Sequence, residues 1–404
     1  MSVIEVVDGK RVTFKGIFYF QLYFVTTWIN SPFLELAGAR IRLETFSFLL
    51  LIFFYLNNKS HFETNLINKS SYKMFKALSI LWVFLNVFSS LYFAITPSRS
   101  LWIFSQILTG LLVLLILWKM RDKTILVDAA NRSIFPLLVF YIFIYFIYIF
   151  GLNVFSNQIS NTGRLTGFSF ESNILGSQAA IWLGVLYQYR SQLVRWKNST
   201  YVALIIVIIS TGTRAAIFSV LTLFAFHLFS LIRNGRLSGI MFTIFFTSII
   251  LFFASTSLNL VFNAAFENNL GKVGQLFDLN SGTGNYRLKV YEIAVDEIRT
   301  SRGISKAFGN GTNSFTQFHP IDISKVEEGY LSNAWLASIY DTGFVGFTVF
   351  MLMGLSLYRA SKAANFGSLP IWLPIIFCAS TTNMLWFAYV WVSLGLVNLN
   401  SKEL

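Results

Sequence analysis

Charged residues in this chain stand in short clusters separated by apolar runs of about twenty residues, and that spacing confines the chain to a membrane. Only 12% of the residues are charged and 55% are hydrophobic, 44 of them Phe, where a soluble domain carries roughly 25% charge. A water-facing surface cannot be covered from that supply. A cytoplasmic enzyme, a disordered tail and a secreted disulfide scaffold are thereby excluded. Cys378 is the one cysteine, so no intrachain disulfide and no cysteine-based metal cluster can form. The expected fold is an all-α polytopic membrane protein.

Runs long enough to be spans lie near 17–36, 41–57, 74–95, 101–118, 134–155, 174–189, 201–213, 215–232, 239–258, 333–357, 369–382 and 384–398. They predict about 12 transmembrane helices in a single transmembrane domain over 1–404. The last two could equally form one long bent helix. The stretch from Tyr201 to Ile232 is too long for one crossing and reads as a tight hairpin with Arg214 at its tip. Pro32, Pro97, Pro136, Pro370 and Pro374 lie at or near span ends, where a missing N–H costs little. The polar stretch up to Lys15 lacks the features of a signal peptide, so the first apolar run is expected to be a retained helix.

The net charge of +13 is topological and implies no nucleic-acid partner. With the N-terminus inside, the inner connections hold Lys10, Arg11, Lys15, Lys59, Lys69, Lys73, Lys119, Arg121, Lys123, Arg132, Arg190, Arg195, Lys197, Arg233, Arg236, Arg359, Lys362 and Lys402. The short outer connections hold only Arg40, Arg42, Arg99, Arg164 and Arg214. This asymmetry places both termini in the cytoplasm. Residues 259–332 form one long extracytoplasmic loop, and long loops of that kind tend to be functional. Within it Tyr286–Thr300 reads as an amphipathic helix, with Asn285 as its cap. Arg287, Tyr291, Ala294 and Ile298 share its apolar stripe.

His61, His227 and His319 fall on the inner side, in a membrane helix and in the outer loop, so no metal site is expected. His227 is expected to hydrogen-bond a neighbouring helix. Gly282-Thr-Gly-Asn285 lacks the Lys-Ser/Thr of a phosphate-binding loop. Three outer arginines, Arg164, Arg214 and Arg287, occupy unusual apolar settings. Arginine at apolar depth is expensive and marks function, and guanidinium groups pair with phosphate oxygens while keeping their charge. Three on one face would suit a diphosphate at headgroup level. Snorkelling or surface ion pairing explains each of them singly.

Four patches in order resemble the O-antigen polymerase and O-antigen ligase superfamily of bacterial envelope glycosyltransferases. They are Arg164-Leu-Thr-Gly-Phe-Ser-Phe-Glu-Ser-Asn173, Ser210-Thr-Gly-Thr-Arg-Ala-Ala216, Arg287-Leu-Lys-Val-Tyr-Glu-Ile-Ala294 with Phe308-Gly-Asn-Gly311, and Leu331-Ser-Asn-Ala-Trp-Leu336 with Asp341-Thr-Gly-Phe-Val-Gly346. The resemblance covers roughly residues 160–350. It implies glycosyl transfer, without metal or cofactor, at the periplasmic face of the bacterial inner membrane. The donor would be a polyprenyl-diphosphate-linked oligosaccharide, and membrane lipids and a chain-length regulator protein would be partners.

On this resemblance Arg164, Arg214 and Arg287 would bind the diphosphate, and Asn173, Tyr291 and Asn333 would contact substrate. Ligases of the family place a His before the Asn, and here Ser332 stands in that position. His319, Glu328 and its neighbour Glu327, or Asp341 would then accept the hydroxyl proton. The expected function is a surface-polysaccharide polymerase. The alternatives are a ligase that moves the glycan to lipid A-core or protein, and a polysaccharide flippase. A flippase seldom needs a long outer loop, and the chain shows no two-half repeat.

Overall fold

The computed structural model describes residues 2–7, 10–30, 32–36, 39–62, 69–120, 122–160, 163–169, 171–192, 194–233, 283–319, 331–361 and 368–397. The expected span at 239–258 and the carboxylates Glu327 and Glu328 lie outside the described residues. Fourteen described helices carry the fold. They are α1 (Ile17–Thr26), α2 (Leu43–Asn57), α3 (Lys69–Tyr92), α4 (Pro97–Trp118), α5 (Lys123–Ile149), α6 (Ser172–Gln188), α7 (Lys197–Thr211) and α8 (Arg214–Arg233). After the outer loop begins they continue as α9 (Thr283–Thr300), α10 (Ile304–Phe308), α11 (Phe315–Phe318), α12 (Ala334–Ser361), α13 (Leu369–Ala379) and α14 (Ala388–Gly395).

The all-α membrane architecture expected from the charge spacing is the one observed. Among the described residues five helices are long and apolar enough to cross a membrane, and four shorter apolar ones pack with them. Phe46, Leu49, Phe53 and Leu56 form one exposed stripe on α2, a lipid-facing surface that water would not tolerate. The helices pack as two groups, α1, α2, α5, α6, α7, α8 and α13 in one, and α3, α4, α12 and α14 in the other. One apolar core runs through both, and Trp28, Trp118, Trp182 and Tyr141 are among its largest fully buried side chains.

Several expectations are corrected. The first apolar run does not continue as helix to 36. Thr26 and Thr27 turn their hydroxyls back onto the carbonyls of Tyr23 and Phe24, and Pro32 cannot extend a helix. The chain instead forms an antiparallel hairpin of β3 (Pro32–Leu36) and β4 (Ala39–Arg42). A second hairpin, β1 (Ser2–Val7) with β2 (Lys10–Lys15), precedes α1. Pro136 and Pro374 sit inside α5 and α13 and not at their ends.

Helix α5 starts at Lys123, well before the expected 134, because its early polar residues find protein partners. Lys123 Nζ donates to Val397 O at 2.6 Å, Asp128 accepts the Arg195 backbone N–H at 2.6 Å, and Asn131 Nδ2 donates to Arg195 O at 2.7 Å. Asp128 also pairs with Arg132. The last two expected spans are distinct elements: α13, a short 3-10 turn at Met384–Trp386, and α14.

Polar contacts at the helix ends fall into two sets. At one end Asn58 holds the backbone of Lys15, Thr124 bonds Gln192, and Lys123 reaches Val397. At the other, Arg42 donates to Trp386 O at 2.6 Å and lies over the Phe387 ring, Ser90 meets Thr312, and Gln317 accepts the Thr96 N–H. The connections meeting at each end are those that the lysine and arginine distribution groups together.

Candidate functional site

The interhelical tip at 212–213 behaves as the sequence suggests. Helix α7 ends at Gly212, which adopts the left-handed conformation (φ 56°), and α8 begins two residues later with Arg214. Thr213 is buried, and its hydroxyl donates to Ser172 O at 3.1 Å, in the first turn of α6. The amino ends of α6 and α8 therefore meet at one place. Each presents N–H groups without intrahelical partners and the positive end of its dipole.

Arg164 enters the same place from the loop before α6. Ser160 and Gly163 close a tight turn, and Leu165 N–H donates to Ser210 O at 3.0 Å, pinning this loop to the end of α7. The guanidinium then spans the junction. Its Nε donates to Thr211 O at 2.6 Å, and its Nη2 donates to Asn173 Oδ1 at 2.8 Å and to Thr213 Oγ1 at 3.3 Å. Of the expected site residues the structure thus brings together Arg164, Asn173 and the Thr213–Arg214 tip. Thr211, absent from the sequence expectation, supplies the carbonyl that fixes Arg164; only the fold reveals a backbone role of that kind.

Arg287 occupies α9, which packs on the first turns of α12. Its stripe forms a small separate core, in which Val290, Ala294, Phe315, Leu331, Ala337 and Tyr340 are buried against Tyr291 and Ile298. The apolar face expected for this helix is therefore real and covers protein. The helix begins at Thr283, two residues before the expected cap position, so Asn285 lies within its first turn. Tyr291 Oη and Ser332 Oγ share a hydrogen bond of 2.8 Å. Burial pushes the Tyr291 phenol above its ordinary value, against smaller opposing effects of Ser332 and the nearby positive charge of Arg287. The phenol therefore stays a hydrogen-bond donor at neutral pH. Among the described residues Arg287 has no carboxylate partner.

Asn333 and Asp341 serve the backbone. Asn333 Oδ1 accepts the N–H groups of Trp335 and Leu336, both at 3.0 Å, and so caps α12. Asp341 is buried, and its carboxylate accepts the Asn313 N–H at 2.9 Å and the Ser314 N–H. The Asn310 and Gly311 N–H groups donate to the carbonyls of Tyr340 and Asp341 at 3.0 and 2.9 Å. The Phe308–Gly311 turn and the start of α12 are consequently one unit. Gly343 breaks α12 with φ 65°, and its backbone lies against Ala307 and Gly309.

His319 follows α11 on this unit, and its Nε2 meets Glu297 Oε1 at 2.6 Å. Glu297 Oε2 accepts the Tyr340 hydroxyl at 2.6 Å. Glu297 is new relative to the sequence reading, although its place three residues after Ala294 on the apolar stripe points to it. His227 bonds Tyr187 Oη at 3.0 Å, the interhelical role expected of it.

Residues 199–351 match the family model described as O-Antigen ligase. This stretch is similar to the O-antigen ligase family, and the match supports the resemblance to the polymerase and ligase superfamily. Three of the four sequence patches, those from Ser210 onward, lie within the match, and the resemblance is borne out to that extent. Members of the superfamily are glycosyltransferase-like enzymes, polymerases or ligases. The matched residues run from α7 to residue 351 in α12, and so contain Arg214, Arg287, Tyr291, His319, Asn333 and Asp341. Arg164 and Asn173 precede the match and join it through the Thr211–Thr213 contacts. No curated protein matches the chain.

Proposed function

We propose that this chain is a surface-polysaccharide polymerase working at the periplasmic face of the inner membrane. It joins repeat units carried on a polyprenyl diphosphate, and the lipid diphosphate is the leaving group. The observation that carries the reading is the meeting of two helix amino ends, α6 and α8, with Arg164 and Arg214 at one junction. Helix amino ends and guanidinium groups both favour phosphate oxygens, and together they make an anion site. A diphosphate gains negative charge as the glycosidic bond breaks. Fixed donors that hold it more tightly in the transition state than in the substrate accelerate that step without a metal.

Arg287 is assigned to the same diphosphate, or to the glycan attached to it, with Tyr291 and Asn173 nearest the substrate. Ser332 in the place of the family's His favours a polymerase. The description of the matching family model favours a ligase as the second reading.

A strain lacking this chain separates the readings on a surface-glycan gel. The polymerase reading expects core carrying one repeat unit. Long unligated chains on the lipid carrier would instead mean a ligase, and repeat units trapped inside with no surface glycan would mean a flippase.

A further inference from the structure

The carboxyl end of α6 carries a cationic cluster of its own. A helix of 17 residues separates it from the Arg164 junction, a rise of about 25 Å. The chain turns back here into α7, and Lys197 holds the turn, its Nζ donating to Arg190 O at 2.6 Å and to Gln192 O at 3.0 Å. The ammonium therefore stands beside Arg190, whose exposed guanidinium lies 4.5 Å from the centre of the Tyr187 ring. Tyr187 Oη meets His227 Nδ1 on α8 at 3.0 Å, so the cluster joins three helices. Arg190 is close enough to act electrostatically on the Tyr201 phenol and the His227 imidazole. Tyr201 stands one turn after Lys197 on the same face of α7. Its hydroxyl and both polar atoms of the Gln188 amide are buried and make no hydrogen bond, a costly state for such groups. Among the described residues neither Arg190 nor Lys197 has a carboxylate partner. Asp128, at the same end, is spent on Arg132 and on the Arg195 N–H.

We propose that this cluster binds the headgroup of an anionic glycerophospholipid, in the leaflet opposite the Arg164 junction. The phosphate oxygens accept from the Arg190 guanidinium and the Lys197 ammonium at the rim. The unspent Tyr201 hydroxyl and Gln188 amide donate from beneath. Two cations without a carboxylate select a headgroup of net negative charge, because the ammonium of a zwitterionic lipid would be repelled. The surroundings are those of a lipid at a membrane border. Trp196, exposed in the same turn, packs on Phe135 with ring centroids 5.2 Å apart, a placement favoured at headgroup level. Val202 on α7 and Phe229 and Ile232 on α8 are exposed apolar side chains along which acyl chains lie. Basic pockets between helix ends suit such headgroups.

The test titrates the full-length chain in detergent with phosphatidylglycerol, with phosphatidylcholine of the same chain length, and with inorganic phosphate. Binding is read as a saturable rise in Tm, and only phosphatidylglycerol is expected to produce one. Arg190→Ala should lower the apparent affinity about 10- to 100-fold, the loss of one charge-assisted contact. Tyr201→Phe, which removes a hydroxyl and no charge, should lower it about 2- to 10-fold. Arg195→Ala is the control. It removes an equal charge from the same turn, where Arg195 stacks on Trp196, and should leave the affinity within about twofold. Equal losses in Arg190→Ala and Arg195→Ala would mean diffuse attraction and overturn the proposal. Unchanged affinity in both Arg190→Ala and Tyr201→Phe would overturn it too. Equal stabilisation by phosphatidylcholine, or by inorganic phosphate at the same concentration, would remove the anionic lipid as the occupant.

Discussion

Arg164→Lys and Arg214→Lys are each expected to abolish long-chain polysaccharide while the chain still inserts in the membrane. Removing one preorganised donor from a site where charge develops costs about 10²- to 10³-fold in rate. Lysine keeps the positive charge but has neither the planar fork nor the reach of three fixed donors. At position 164 the consequence is also geometric. The guanidinium ties together Thr211 O, Asn173 and Thr213, and one ammonium cannot replace those directions. Leaving a buried acceptor unmet costs about 1–3 kcal/mol, which loosens the junction of α6 with the 212–213 tip. The measurement is a surface-glycan ladder beside an immunoblot of the membrane fraction. Full-length ladders in either variant, at normal protein level, would remove that residue from the site.

Gly343→Ala is expected to damage the outer unit severely. Gly343 holds φ 65°, and a β-carbon there would stand 2.3 Å from Ala307 O and 2.6 Å from Gly309 N. Both neighbours are backbone, so no side chain can swing aside. Left-handed strain and overpacking together amount to about 3 kcal/mol or more. The Phe308–Gly311 turn would separate from α12, and Asn313, Asp341 and His319 would shift with it. Thermal unfolding of the detergent-solubilised chain should show a clear fall in Tm and loss of glycan extension. Gly354→Ala, on the same helix, is the control. Its β-carbon would approach only the Trp372 ring, at 3.7 Å, and should leave both properties unchanged. Equal melting of the two variants would contradict the packing account.

Much of this arrangement can be read from local pattern. The Ser210–Arg214 break in an overlong apolar run gives the α7–α8 hairpin, because the membrane limits how far a helix can run. The Tyr291, Ala294 and Ile298 stripe gives α9 and its buried face, because helical spacing survives wherever the partner lies. What local pattern misses depends on partners remote in sequence. Lys123, Asp128 and Asn131 look like loop residues until Val397 and Arg195 take up their hydrogen bonds. Asp341 and Asn333 look like chemistry, whereas the structure gives their oxygens to backbone N–H groups. The β3–β4 hairpin interrupts a run that hydropathy alone reads as one span, since hydropathy does not register the threonine back-bonds that end α1. Asp8-Gly9 between Val-rich segments is a hairpin signal that the sequence itself carries.

The anion site at the α6–α8 junction is tested most directly by a structure of the full-length chain in lipid nanodiscs with polyprenyl diphosphate bound. The account predicts phosphate density within hydrogen-bonding distance of Arg164 and Arg214, at the amino ends of both helices. Diphosphate density elsewhere, with both guanidinium groups turned away from it, would contradict it.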